Sequence, residues 1–301
     1  MGPTRLVIDC DPGVDDAASL ALAVDSAEID LLAVTTVSGN MPVDLTTDNA
    51  LRILQAFDRD DVPVAPGADR PLIGLTPTYP GIHGENGLGG LELPPSARGD
   101  SGENAVELLS RILRAAAPGS ITIAAIGPLT NIALLLAIHP DLADRIGLLT
   151  IMGGSLDRGN ITPYAEFNVW ADPEAAHRVL VESDLPVRLF TLWATRRATL
   201  DDEQCRALAA RSPRGELLAE MVRGYRDVDP AGGRPLHDAL VIASLIDPSL
   251  VNAQTTALAV DTSHGVKRGR TEIESENGSK QLEVVVDADS TGFRELLMSR
   301  V

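Results

Sequence analysis

The chain opens on an apolar run, Leu6-Val7-Ile8, that leads directly into Asp9-Cys10-Asp11-Pro12-Gly13-Val14-Asp15-Asp16 and then into the apolar stretch Ala17–Ala23. Pro12 and Gly13 mark a tight turn, so the pattern reads as strand end, turn and helix start. Four carboxylates within eight residues repel one another and resist ionisation unless something positive sits among them. Alternation along a strand puts Asp9 and Asp11 on one side and Cys10 on the other, while Asp15 and Asp16 fall where a helix N-terminus favours anions. Oxygen donors converging on one point suit a hard cation, Ca²⁺ or Mg²⁺. A helix cap with solvated acids accounts for one or two of these aspartates, not for four, and a metal site is the stronger expectation.

Short β-rich runs alternate with helical patterns over most of the chain. Strands are expected at Leu6–Asp9, Asp30–Val37, Ser120–Ile126, Gly147–Met152 and Pro186–Phe190. Helices are expected at Asp15–Asp25, Val43–Phe57, Asn104–Ala117, Thr130–Ala137, Pro173–Glu182, Asp202–Ala210, Gly215–Arg226 and His237–Leu245. Strands apolar on both faces, alternating with helices, predict an α/β fold: a mainly parallel, open, Rossmann-like sheet flanked by helices. Thr255–Val260 and Gln281–Val286 read as a late hairpin or edge pair before a final helix. With no repeat, low-complexity linker or composition break, residues 1–301 read as one domain.

The chemically rich segments follow the expected strands, which is where ligands bind in open α/β sheets. They are the aspartate cluster, Ser38-Gly39-Asn40, Gly127–Asn131 and Gly153-Gly154-Ser155. His83–Gly90 is rich in glycine but lacks the Gly-Lys-Ser/Thr ending and any basic residue of a phosphate cradle. Within the irregular region from Pro66 to Gly99 it suits either a lid or a surface loop. Asn160–Asn168 could offer polar contacts to sugar hydroxyls, although asparagine also makes turns. His237-Asp238 opens an apolar helix. Asp238 there is either an N-terminal cap or a late metal ligand, and His237 a proton donor titrating near neutrality.

Lys and Arg number 25 against 43 Asp and Glu, a formal charge of −18, which disfavours nucleic acid or an anionic membrane as partner. Two distant cysteines, Cys10 and Cys205, form no zinc or disulfide framework and fit a reducing cytoplasm. No targeting or membrane-spanning segment is expected.

Together these motifs resemble the inosine–uridine-type nucleoside hydrolase family. Asp9–Asp16 matches its DxDPGxDD signature, and Gly39-Asn40, the His83 loop, Gly127–Asn131, Met152-Gly153-Gly154, Glu166-Phe167-Asn168 and His237-Asp238 follow in the family's order, from about residue 5 to 248. The resemblance implies Ca²⁺ held by Asp11, Asp16, Asp238 and the Ile126 carbonyl. Asp11 is then also the general base for a water on the metal, and His237 the acid that protonates the departing base. It further implies that Asp15, Asn40, Asn160, Glu166 and Asn168 grip the ribose, that His83 and Tyr225 lie beside the base, and that Met152 and Phe167 line the pocket. A ribonucleoside substrate and a homodimer or homotetramer are implied as well. The purine-strict branch, which carries tryptophan for this histidine, is the poorer match. Two segments depart: Leu189–Leu200 lacks the Thr-His pair often seen in the family, and Tyr225–Pro235 aligns poorly.

Two other readings start from the same residues. A haloacid-dehalogenase-type phosphatase also begins with a strand running into Asp-x-Asp, but Pro12 and the Asp15-Asp16 doublet are misplaced for it and no later Gly-Asp-x-x-x-Asp appears. A non-catalytic Ca²⁺-dependent nucleoside or sugar binder needs the aspartates but has no use for a proton donor at His237.

Overall fold

The computed structural model describes residues 2–74, 81–229, 231–274 and 280–301. Among the described residues eleven strands form: β1 Thr4–Cys10, β2 Ile29–Thr36, β3 Val64–Pro66, β4 Ile121–Ala125, β5 Ile146–Met152, β6 Val187–Phe190, β7 Thr199–Leu200, β8 Arg234–Pro235, β9 Val251–Val260, β10 Thr271–Glu274 and β11 Leu282–Ala288. Eleven α-helices accompany them among the described residues: α1 Val14–Val24, α2 Val43–Ala56, α3 Ala105–Arg114, α4 Thr130–Ile138, α5 Phe167–Ala171, α6 Pro173–His177, α7 Leu192–Thr195, α8 Asp202–Ala209, α9 Pro213–Gly224, α10 His237–Ile246 and α11 Ser290–Arg300.

Nine strands make one sheet in the order β10-β9-β11-β6-β5-β4-β1-β2-β3, and β7 and β8 form a separate antiparallel pair. From β11 to β3 every neighbour runs parallel; β9 and β10 add antiparallel pairings at one edge. Alternation along β1 explains why the sheet is buried on both faces. Leu6, Ile8 and Cys10 enter one core with α1, α2, α9, α10 and α11, while Val7 enters the other with α3, α4 and α6. Each face is shielded by helices, and the α/β expectation holds.

Every expected strand forms within a few residues of its expected ends, and four were missed: β3, β7, β8 and β10. β3 has three residues and ends in proline, too short for a periodicity. β7 and β8 have two residues each. The tail differs in kind from a hairpin. β9 and β11 pair antiparallel, but β10 lies between them in sequence and pairs on the far side of β9, and β11 docks parallel onto β6. The expected helix Pro173–Glu182 forms as α6 continued by a π-helical stretch, Arg178–Glu182. Among the described residues no helix is long and apolar enough to cross a membrane.

What positions the site is the reversal at β1. The chain builds β2 and β3 to one side of it, then returns to lay β4 on the other. A crevice opens where the strand order switches, beyond the carboxyl ends of β1 and β4. Asp11 follows β1, Asn40 follows β2, Ile126 follows β4, and Met152 ends β5.

Candidate active site

The aspartates of the opening motif do not act as one set. Asp9, still on β1, turns to the back of the strand, where Oδ1 accepts from Thr35 Oγ1 at 2.5 Å and Asn131 Nδ2 at 2.8 Å. Burial raises its pKa to about 6 against the opposing effect of those bonds. The alternation that grouped Asp9 with Asp11 fails because β1 ends at Cys10, and Asp11 belongs to the turn.

Asp11 fits its position because its neighbours have no side chains. A Cβ at Gly39 would collide with Asp11 Oδ2, and one at Gly127 would lie 2.7 Å from Oδ1. The Asn40 N–H donates to Asp11 Oδ2 at 2.6 Å, and Asn40 Nδ2 to the Asp11 carbonyl at 3.3 Å. Asp16 closes the first turn of α1 by accepting from the Gly13 N–H through Oδ2 at 2.8 Å, so one of its oxygens does cap a helix. Asp238 does not: α10 begins without any side-chain cap. Instead, one carboxylate oxygen each from Asp15, Asp16 and Asp238 lie within 4.8 Å of one another. Asp11 stands beside this triplet, held toward the end of β2 by Asn40.

These carboxylates are buried, and burial is the main reason the pKa values of Asp11, Asp15 and Asp238 stand well above the usual range. Repulsion among them adds to it, from Asp16 on Asp11 and Asp15, and from Asp15 on Asp238. Asp16 is raised to about 6. Among the described residues, Asp15 Oδ1 and Asp16 Oδ1 have no hydrogen-bond partner although both are buried. Converging, unpartnered, oxygen-only donors fit a hard divalent cation.

A cavity of about 840 Å³ opens over this floor. It is lined by Asp11, Asp15, Asn40, Ile126, Met152, Glu166, Phe167, Asn168 and Asp238 at its inner end, and by His83, Asn160, Tyr225 and His237 further along. Asp16 lies behind the wall. Asn168 Nδ2 donates to the carbonyls of Ile126 at 2.8 Å and Met152 at 3.2 Å, tying the ends of β4 and β5 together. Glu166 caps α5 by accepting from the Asn168 and Val169 N–H groups, and also accepts from Gly154. Asn160 Oδ1 accepts from the Phe167 N–H at 2.9 Å.

His83 accepts from the Val14 N–H through Nδ1 at 3.1 Å and packs on Tyr225 with ring centroids 4.8 Å apart. Burial first, then the charge of His237, holds its pKa down at about 3, so it is a neutral ring with Nε2–H as its donor. The His83 loop is fastened down: Gly89 donates to the His83 carbonyl, Asn86 Oδ1 accepts from Leu88 and Gly90, and Arg226 donates to the Ile82 carbonyl. Residues 75–80 of the region from Pro66 to Gly99, which suits a lid or a surface loop, lie outside the described residues.

His237 stands at the start of α10, with Nδ1 2.7 Å from Thr195 Oγ1 and Nε2 3.8 Å from Asp227 Oδ2. The His237 interaction is the main reason the Asp227 carboxyl lies below its usual range. Arg196 donates to the carbonyls of Arg158 at 2.8 Å and Gly159 at 3.4 Å, pinning the loop that carries Asn160.

A family model described as inosine-uridine preferring nucleoside hydrolase matches residues 6–295. The chain belongs to that family. Pyrimidine-specific ribonucleoside hydrolase RihA of Escherichia coli O9:H4 (strain HS) is 39% identical, over 98% of this chain and 97% of that protein. A plant nucleoside hydrolase, the PpNRh1 enzyme, superposes with a TM-score of 0.92 at 30% identity, over 99% of this chain and 98% of the other. A purine-preferring ribonucleoside hydrolase from Gardnerella vaginalis gives 0.91 at 30% identity and the same coverage. Proteins named as nucleoside hydrolases are N-glycosidases, and this nucleoside hydrolase-family chain is an enzyme of that class; membership displaces the phosphatase reading.

Within this nucleoside hydrolase frame, every residue expected at the site lines the cavity except Asp16, behind its wall, and Asp9, which turns away from it. Four others were missed: Arg158, Arg196, Asp227 and Thr195, of which the first three line the cavity and Thr195 supports His237 from behind. Thr195, Arg196 and Asp227 fall in the segments where the motif pattern breaks, and Arg158 lies in the loop that carries Asn160. Thr195 and Arg196 stand within Leu189–Leu200, the segment that lacks the Thr-His pair. No sequence signal marked Thr195, which is followed by Arg196 and Arg197; its burial shows only in the structure.

Proposed function

We propose that the protein hydrolyses the N-glycosidic bond of ribonucleosides, releasing free base and ribose, with Ca²⁺ as its metal. Asp11, Asp16, Asp238 and the Ile126 carbonyl would hold the cation, with Asp15 beside them. Buried, unpartnered carboxylate oxygens supply the motive for a cation, and the absence of sulfur and imidazole from the converging group favours a hard one. When bound, the cation anchors the ribose diol and makes a nearby water more acidic.

The chain's own groups then divide the reaction. Asp11 takes a proton from the attacking water as its oxygen bonds to the anomeric carbon. The bond to the base breaks, its electron pair goes to the base nitrogen, and His237 supplies the proton that makes the base a stable leaving group. Asp15, Asn40, Asn160, Glu166 and Asn168 position the ribose. The surrounding carboxylates favour the positive charge that develops on the sugar. Attack from the face opposite the base inverts the anomeric carbon.

The observation that carries this reading is one cavity with an acidic floor and a buried histidine in its wall next to Asp238. A passive binder has no need of His237. The likeness to a pyrimidine-specific relative supports pyrimidine ribonucleosides among the substrates. The same reading takes the chain as one catalytic unit, assembling as a homodimer or homotetramer, which light scattering would measure. The two buried free cysteines accord with a reducing cytoplasm.

Incubating the purified protein with uridine, cytidine, inosine and adenosine, and assaying free ribose, tests the reaction. Ribose release from at least one is expected. Binding without release from any of them would favour the passive binder.

A further inference from the structure

Thr195, we infer, is a positioning residue for the leaving-group acid: it fixes which ring nitrogen of His237 faces the cavity. This rests on His237 acting as the acid, as proposed above. Thr195 ends α7, is fully buried and does not itself line the cavity, whereas His237 does. Its hydroxyl lies 3.3 Å from the Thr191 carbonyl, one turn back, and 2.7 Å from His237 Nδ1. A hydroxyl has one proton to give. Given to the Thr191 carbonyl, which can only accept, it leaves the oxygen's lone pairs facing Nδ1, so Nδ1 carries the hydrogen and donates to Thr195. That choice of tautomer makes Nε2 the atom that gains and gives the exchangeable proton. Nε2 is also the nitrogen near Asp227, on the cavity side.

Without the hydroxyl, the ring can flip or take the other tautomer. The proton then sits on the wrong nitrogen, while the carboxylate floor and the ribose contacts are untouched. The defect belongs to base departure alone.

The test compares Thr195→Val, Thr195→Ala and Thr195→Ser on two substrates, uridine and p-nitrophenyl riboside, whose p-nitrophenolate leaves without protonation. Loss of a hydrogen bond to a group that becomes charged should lower kcat on uridine by about ten- to a hundredfold for Val and Ala. KM for uridine, and kcat on p-nitrophenyl riboside, should stay within about twofold. Thr195→Ser, which keeps the hydroxyl, should restore most of the uridine rate. Equal losses on both substrates, no loss on uridine, or a serine variant as slow as the valine variant would each overturn the assignment. If Thr195→Val does not fold, Thr195→Ala against Thr195→Ser decides alone. Wild-type protein that releases no ribose from either substrate would instead overturn the hydrolase reading on which this rests.

Discussion

The two ends of the cavity are built by different means. The inner end comes from regular structure: Asp11, Asn40, Ile126 and Met152 sit at the ends of parallel strands, and Asp15, Asp16 and Asp238 in the first turns of helices. Its backbone is fixed by a sheet with both faces buried, and its charges are crowded there at an electrostatic cost that a cation relieves. Apart from His237 at the start of α10, the outer end is made by loops and short elements. His83, Asn160 and Tyr225 depend on local contacts, with the Val14 N–H, the Phe167 N–H, and a ring stack respectively. On the proposed mechanism the contrast is a division of labour: the strand-built end would carry the step common to every ribonucleoside, and the loop-built end would decide which base leaves and how easily.

The division can be broken at several points. Metal removal strikes the inner end and should have the largest effect: thorough chelation should abolish ribose release from every substrate, with Ca²⁺ restoring it. Full activity in protein shown by elemental analysis to be metal-free would detach the acidic floor from catalysis. Next, Asp11→Asn keeps the shape and removes the basicity, so kcat should fall by at least about 10³-fold on natural and activated substrates alike. A near-normal kcat would mean another group accepts the water's proton.

Arg196→Ala probes the outer end with a smaller effect. Loss of the guanidinium that pins the Arg158 and Gly159 carbonyls frees the Asn160 loop and should raise KM about tenfold for any riboside, kcat changing far less. A kcat loss with KM unchanged would place Arg196 in the chemistry. The smallest kinetic effect is expected from Asn131→Ala, behind the inner wall. Asn131 bridges the Asp9 carboxylate, the Thr36 carbonyl and the Ala68 N–H, so its loss should cost about 3 kcal/mol of stability by urea denaturation. The kcat of the folded enzyme should change by less than about threefold. A large kcat loss at normal stability would show that Asp9 communicates with the reacting groups.

The same contrast explains what the sequence made legible. The inner end was readable because its residues are contiguous: eight positions from Asp9 to Asp16 contribute three of the carboxylates, and the periodicity of β1 and α1 places them. Even there, one step was misjudged. Asp9 and Asp11 share a parity, but the strand ended between them, and element ends are where pattern reading is least secure. Asp238 was ambiguous between cap and ligand until α10 proved to start without a side-chain cap. At the outer end, His237 and His83 were found by motif, whereas Thr195 and Arg196 act through contacts between segments tens of residues apart, Thr195 to His237 and Arg196 to the Arg158 carbonyl. No local pattern encodes such a pair. β10 escaped for a similar reason, as a four-residue strand defined by its neighbour β9 rather than by its own alternation.

The central claim, that the floor performs the common step and the histidine wall serves the departing base, is tested most directly by crossing His237→Ala and Asp11→Asn with uridine and p-nitrophenyl riboside. Asp11→Asn should lose turnover on both. His237→Ala should lose about 10²–10⁴-fold on uridine, the usual worth of one positioned acid, yet keep most of its rate on p-nitrophenyl riboside. Equal losses for His237→Ala on the two substrates would contradict the division, because His237 would then be serving the metal floor through its neighbour Asp238.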